Sequence, residues 1–258
     1  MTDDAIPPEL RRLWGIGADS RLGRPAELDV TRVVTAAVDL ADRDGLAGVT
    51  LPKVAKELGF TAMSLYRHVG SKDELLSLMR EYAMGPAPTI DVSPSDRLSW
   101  RRGLTQWATA ERLVYHRRPW LPRLPVSGPP SGPNLIAWME IGLAILRPTG
   151  LGWHEKVGVM TLTSGYVRQM AVLFDDLAQG RAGTGLNQSE AEQRYGRSLA
   201  ALVSASTFPE TSELFASNTF DASGDPTRND PIAGHDFVFG LNTILDGVEA
   251  AIGRLGNE

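Results

Sequence analysis

The chain contains no cysteine. That excludes a disulfide framework, a thiolate nucleophile and any metal site built on sulfur. It also lacks a run of 18 uninterrupted apolar residues, so no transmembrane helix is expected. Met1–Trp14 is acidic and then broken by Pro7 and Pro8, with no apolar core of a secretory signal. A cytoplasmic location is therefore the expectation. Basic residues are not in excess either. The formal net charge of −5 argues against a surface coated in cations for wrapping nucleic acid. The four histidines, His68, His116, His154 and His235, are scattered, and none stands at a metal-ligand or triad spacing. Gly183-x-Gly185 lacks the third glycine and the strand context of a nucleotide fingerprint. No catalytic residue, metal or cofactor is expected, and an enzyme is the least favoured class.

What is present is helical. At 258 residues the chain has room for a small domain and a larger one, each with its own core. From Asp29, Val30, Val33, Val34, Ala37, Val38, Leu40 and Ala41 recur at helical spacing, with Asp29 as N-cap and Gly45 at the end. Thr50 caps a second helix that tolerates Pro52 in its first turn. Val54, Ala55 and Leu58 face inward, and Gly59 permits a tight turn. A third helix spans Ala62–Val69. Ser71 with Glu74 forms a capping box that opens a fourth, Lys72 to about Met84. Gly85–Pro94 is turn-forming and marks a boundary. Helices follow at about 95–118, 133–147, 154–179, 188–204 and 233–254, and no segment alternates as a strand would. The fold class is all-α, with an arm at 1–28 (a short helix at Pro8–Trp14 apart), a small domain at 29–84 and a larger one at 95–258.

The small domain has the layout of a helix-turn-helix unit, whose second helix lies in the major groove of DNA. Leu65 and Val69 anchor that helix, leaving Thr61, Ala62, Ser64, Arg67 and His68 for the groove and Tyr66 and Lys72 for phosphates. Lys53, Lys56, Arg67 and Lys72 face only Glu57 in this stretch, a basic patch on an acidic body. From spacing alone, a plain three-helix core with solvated polar residues fits as well. Arg21 and Arg24 belong either to a linker or to an arm entering the minor groove.

Residues 29–82 resemble the DNA-binding domain of the tetracycline-repressor (TetR) family of bacterial transcription regulators. The likeness is carried by Val33, Ala37, Leu40, Gly45, Thr50, Val54-Ala55, Leu58-Gly59, Ser64-Leu65-Tyr66-Arg67-His68-Val69 and Lys72-Asp73-Glu74-Leu75-Leu76. The resemblance implies that Ala62, Met63 and Ser64 meet bases, that Tyr66, His68 and Lys72 clamp the backbone, and that Thr50 lies near a phosphate; Lys53, from the basic patch, completes the expected DNA-binding set. Where the family's namesake has a base-contacting arginine, this chain has Pro52, which implies a different operator. A looser likeness covers most of 95–254: Arg118-Pro-Trp-Leu, Asn134, Trp138, Gly165-Tyr166-Val167 and Phe237-x-Phe-Gly-Leu-Asn. In that branch the last long helices of two subunits form a four-helix interface. That implies a homodimer joined through Phe237, Leu241, Leu245 and Val248, in a stripe that also holds Val238 and Ile244, although spacing alone also allows a helix buried within one subunit.

The middle helices hold Trp100, Trp107, Tyr115, Trp120, Trp138, Met139, Tyr166, Met170 and Phe174. As a set they suit an apolar pocket with a few polar handles; singly, each also suits an ordinary core. The site expected for a small apolar or amphipathic ligand comprises Trp107, Gln106, His116, Asn134, Trp138, Tyr166, Met170 and Phe174, with Arg168 and Gln169 as further handles. The function so implied is a repressor of a near-palindromic operator, released by ligand. An activator or a ligand-independent regulator of the same fold is the alternative.

Overall fold

Four polar side chains set the phase of the N-terminal helices in the computed structural model, which describes residues 6–16, 28–91, 99–220 and 234–255. Asp29 accepts from the Arg32 amide (2.7 Å), Thr50 from Lys53 (3.4 Å), Thr61 from Ser64 (3.3 Å) and Ser71 from Glu74 (3.1 Å). Each satisfies an amide that the first turn of a helix leaves without a partner. After the short helix α1 (Pro8–Leu13) they start α2 (Val30–Asp44), α3 (Leu51–Leu58), α4 (Ala62–Val69) and α5 (Lys72–Met84). Gly59 ends α3 in the left-handed region (φ 77°, ψ 24°), where a side chain would strain the backbone. The Phe60 amide then donates back to the Ala55 carbonyl, and α4 leaves at an angle.

The expected capping box at Ser71 is only half formed. Glu74 turns its carboxylate away from the cap to the guanidinium of Arg12, whose Nε donates at 2.8 Å. A charged partner outcompetes a neutral amide for that carboxylate. This ion pair docks α1 on α5, and the Trp14 indole donates to the Ser131 carbonyl (2.8 Å). Arg21 and Arg24 lie outside the described residues.

The body consists of α6 (Ser99–Arg117), α7 (Pro133–Ile145), α8 (Trp153–Arg181), α9 (Gln188–Ala200), α10 (Pro209–Ala216) and α11 (His235–Leu255). No strand occurs among the described residues. The sequence reading has no helix at 209–216. α10 is short and starts on Pro209, and its amphipathic signal is weak. It is held by an aromatic cluster of Tyr195, Phe215 and Phe220, with ring centres 5.3–5.6 Å apart.

Helix α5 is shared by both domains. Its Leu75, Leu78 and Met79 are buried in the core that includes α2, while its C-terminal half is bonded to the body. The Glu81 carboxylate is buried at the start of α7 and accepts from the Asn134 and Leu135 amides, the latter at 3.2 Å. Asn134 Nδ2 returns a bond to the Glu81 carbonyl (3.1 Å). Arg118 donates to the Ala83 carbonyl (3.0 Å), and Trp138 to that of Gly85 (3.2 Å). Asp42 of α2 accepts from Trp120 (2.6 Å) and Arg118 (3.3 Å). Glu81 is thus the N-cap of a helix in the other domain, a role usually filled by a neighbour in sequence. Glu81→Ala strands two part-buried amides and is expected to cost roughly 2 kcal/mol, a fall of roughly 4–8 °C in melting temperature. Circular dichroism melts of Glu81→Ala and Glu81→Gln check this; an unchanged midpoint in the alanine variant would remove the clamp from the account.

Candidate nucleic-acid interface and ligand cavity

Leu65 and Val69 of α4 have no exposed surface, and they fix which face of that helix turns outward. The outward face carries Met63 (68% exposed), Tyr66 and Arg67, with Ala62, Ser64 and His68 half-buried beside them. Lys72 is the first residue of α5 and is exposed, beside amides that the helix start leaves pointing outward. Lys53 and Lys56 of α3 are also exposed. Glu57, the lone acid of this stretch, is paired with Arg43 of α2 (2.7 Å), so the patch reads as basic. All the predicted residues among those described are thus exposed or half-buried. Three of them are partly engaged in local structure: the Thr50 hydroxyl caps α3, and Thr61 and Ser64 share a hydroxyl hydrogen bond of 2.9 Å. Pro52 is exposed and carries no donor.

A cavity of about 390 Å³ lies between the C-terminal half of α5, α6, α7, α8 and the 121–130 loop. Its apolar wall includes Met84, Leu121, Leu135, Met139 and Met160. Its polar groups are Glu111 and Tyr115 of α6, Thr161, Ser164 and Arg168 of α8, and Arg80 of α5. Tyr115 and Ser164 donate their hydroxyls to the two oxygens of Glu111, each at 2.9 Å. Burial pushes the Glu111 carboxyl up to about 7, against the opposing pull of those two hydrogen bonds. Burial, and then the Glu111 charge, also push the Tyr115 phenol up.

The eight residues expected to bind ligand lie elsewhere. Trp107 donates to the Trp138 carbonyl (3.1 Å) and meets that ring edge-on, so both serve the α6–α7–α5 junction. Asn134 is engaged by Glu81. Tyr166 stacks on Phe237 (5.5 Å) and donates to the Asp236 and Phe237 carbonyls of α11. Met170 packs against the core, and Gln106 is exposed. His116 and Phe174 line a second hollow of about 270 Å³ on the far side of Tyr115. Of the wider sets, Tyr115, Met139 and Arg168 do line the main cavity. Glu111 had a legible signal: it interrupts the buried stripe Trp100, Leu104, Trp107, Ala108 of α6. A charge in an apolar stripe marks either a buried pair or a site.

The residues expected to join two subunits turn mostly inward. Phe237, Leu241, Leu245 and Val248 are buried inside the protomer. Phe237 lies under the Arg112 guanidinium (3.8 Å), and Tyr166 approaches so closely that a Cβ at Gly240 would meet its hydroxyl at 2.3 Å. What α11 and α8 leave exposed includes Val238, one of the expected residues, together with Phe239 (67%), Leu162, Leu173 and Leu177. No helix among the described residues is long and apolar enough to cross a membrane. No group of three or more potential metal ligands occurs among them.

Glu111 has a consequence for pH. Its folded pKa lies above the ordinary value of 4.5, so the neutral acid favours folding. That contribution is full below about 4.5 and is lost as pH rises through about 7. Glu111→Gln removes the cost of the charged form, of the order of 3 kcal/mol at pH 8. The variant should melt several degrees above the parent at pH 8 and close to it at pH 5, measured by calorimetry; a constant difference would count against it.

Residues 33–79 match the family model described as "Bacterial regulatory proteins, tetR family". Residues 93–252 match "Tetracyclin repressor-like, C-terminal domain". The HTH-type transcriptional repressor DrrR1 of Streptomyces coeruleorubidus is 35% identical over 257 residues, 98% of this chain and 89% of its own. The class E tetracycline repressor protein of Escherichia coli is 31% identical over 143 residues, 55% of this chain and 66% of its own. Among solved structures, apo ActR of Streptomyces coelicolor superposes with a TM-score of 0.69 at 26% identity, covering 90% of this chain and all of ActR. ActR in complex with actinorhodin gives 0.70 at 26%, covering 88% and 99%. The chain belongs to the tetR family of bacterial regulatory proteins, with the tetracycline-repressor-like C-terminal domain of that family.

Proposed function

We propose that this protein is a homodimeric transcriptional repressor that holds a near-palindromic operator through α3 and α4 and leaves it when a small amphipathic molecule fills the 390 Å³ cavity. The observation that carries the reading is α5. Lys72 at its N-terminus stands beside the exposed face of α4, while Arg80 and Met84 near its C-terminus line the cavity. One rigid helix therefore touches both proposed sites. A molecule that displaces α6, α7 or α8 around Met84 and Arg80 shifts the far end of that helix by leverage. Ligand acts only through the difference in its affinity for the two positions of α5. The repressor named DrrR1, similar over nearly the whole chain, and the ActR complex with actinorhodin both favour this reading.

In the proposed complex Ala62, Met63 and Ser64 meet base edges. Tyr66, His68 and Lys72 hold phosphates, with Thr50, Lys53, Thr61 and Arg67 beside them. The partner subunit meets Val238 and Phe239 of α11 and Leu162 and Leu173 of α8, the apolar residues that the protomer leaves exposed. Two such subunits set their recognition helices about 34–36 Å apart, one turn of B-DNA.

Footprinting on the DNA upstream of the protein's own gene tests the reading. It should protect two half-sites whose centres are about 10 base pairs, or a multiple of a turn, apart. Protection of nothing at low salt would dismiss it. Lys72→Ala should weaken binding to every duplex and reduce the salt dependence by about one charge per subunit. An unchanged slope removes Lys72 from the contact set. Ser64→Ala should instead change the ranking of operator variants while leaving nonspecific affinity alone.

A further inference from the structure

The cavity has an asymmetric charge lining. Its cations are Arg80 and Arg168, its one acid is Glu111, and no lysine or histidine lines it. The two guanidiniums converge on the same atom: Arg80 donates to the Leu124 carbonyl at 3.2 Å, and Arg168 to that oxygen at 2.9 Å. Arg80 also donates to the Pro125 carbonyl, and Arg168 Nε to that of Pro122 (2.6 Å). Two like charges thus stand side by side at one wall, hydrogen-bonded among the described residues to main-chain carbonyls. Glu111 does not neutralise them. Tyr115 and Ser164 occupy its oxygens, and among the described residues no ion pair joins it to either arginine. Burial lowers the pKa of Arg80 and Arg168 lowers it further, while Tyr115 opposes them. A guanidinium nevertheless stays charged at neutral pH.

Each guanidinium has five N–H donors, of which the 122–125 carbonyls take two. Beside the pair the wall turns apolar, with Met84, Leu121, Leu135, Met139 and Met160. The geometry points to an amphipathic organic anion as the ligand of this cavity, its carboxylate or sulfonate held between Arg80 and Arg168 and its apolar body against the methionines and leucines. The inference rests on the reading of this cavity as the effector site and narrows it to a chemical class. It also makes Arg80 part of the switch. An anion drawing that guanidinium from the Leu124 and Pro125 carbonyls loosens a bond between α5 and the loop.

Two fluorescent probes with one skeleton separate the possibilities. 8-Anilinonaphthalene-1-sulfonate is an anion; N-phenyl-1-naphthylamine is the same molecule without the sulfonate. Both are titrated into the full-length protein at pH 7. The anion should bind roughly tenfold more tightly, the scale of one charge-assisted hydrogen-bonded contact. Arg80→Gln and Arg168→Gln should bring the two affinities within about twofold, while Arg80→Lys and Arg168→Lys, which keep the charge without the forked donors, retain part of the preference. Equal affinities in the parent protein, or tighter binding of a cationic naphthylmethylamine, would overturn the anion assignment and leave the cavity standing. Loss of preference in the lysine variants equal to that in the glutamine variants would assign the effect to the loop carbonyls and overturn it too. Gly165→Phe reports on the cavity itself, because a Cβ there meets no atom within 4 Å and the ring enters the mouth. If neither probe binds, or if Gly165→Phe leaves both affinities unchanged, the effector-site reading fails first.

Discussion

Everything in this molecule depends on the seating of one carboxylate. Glu81 leaves the helix that belongs to the small domain and caps the first turn of α7 in the large one. A buried carboxylate at a helix N-terminus is held by charge-assisted bonds and by the helix dipole together. Around it, Arg118 to Ala83, Trp138 to Gly85 and Trp120 to Asp42 repeat the connection with neutral or partly exposed partners. The junction is therefore polar and directional. Apolar contact alone would let α5 slide, whereas hydrogen bonds to defined amides give it discrete positions.

The cavity wall is built against stability. A buried acid with a raised pKa and two adjacent guanidiniums are arrangements that a core selected only for folding would replace with apolar side chains. They sit where α5, α6 and α8 meet the 121–130 loop, next to the junction rather than far from it. Charge recognition and domain coupling thus use the same few side chains. Arg80 is bonded to the loop and lines the cavity, and Glu81, its neighbour in sequence, caps α7.

The DNA-reading half was legible because its signals are local. Asp29, Thr50, Thr61 and Ser71 bond amides three residues on, and Gly59 adopts the left-handed turn its position asks for. The larger half was legible as helices but not as a site. Trp107, Trp138 and Tyr166 looked like pocket walls, and they prove to be joints whose polar atoms bond carbonyls of other helices. Helical periodicity tells which face is apolar without telling which neighbour covers it. Phe237, Leu241, Leu245 and Val248 share one stripe, and α6 and α8 of the same protomer cover that stripe before any partner could. The cavity residues Glu111, Ser164 and Arg80 come from three helices separated by long stretches of chain, and no spacing rule links them.

In the proposed dimer, α5 sets the spacing of two reading heads. Because the chain has no native cysteine, Asp39→Cys places a single spin label at an exposed position of α2, outside the residues proposed to meet DNA. Pulsed dipolar spectroscopy on the labelled protein bound to its operator should give one narrow intersubunit distance, because both subunits are then held one turn of B-DNA apart. Adding Glu81→Ala to the unbound protein should broaden the distribution. Absence of any intersubunit dipolar signal, or a distribution that the loss of Glu81 leaves untouched, would contradict the account.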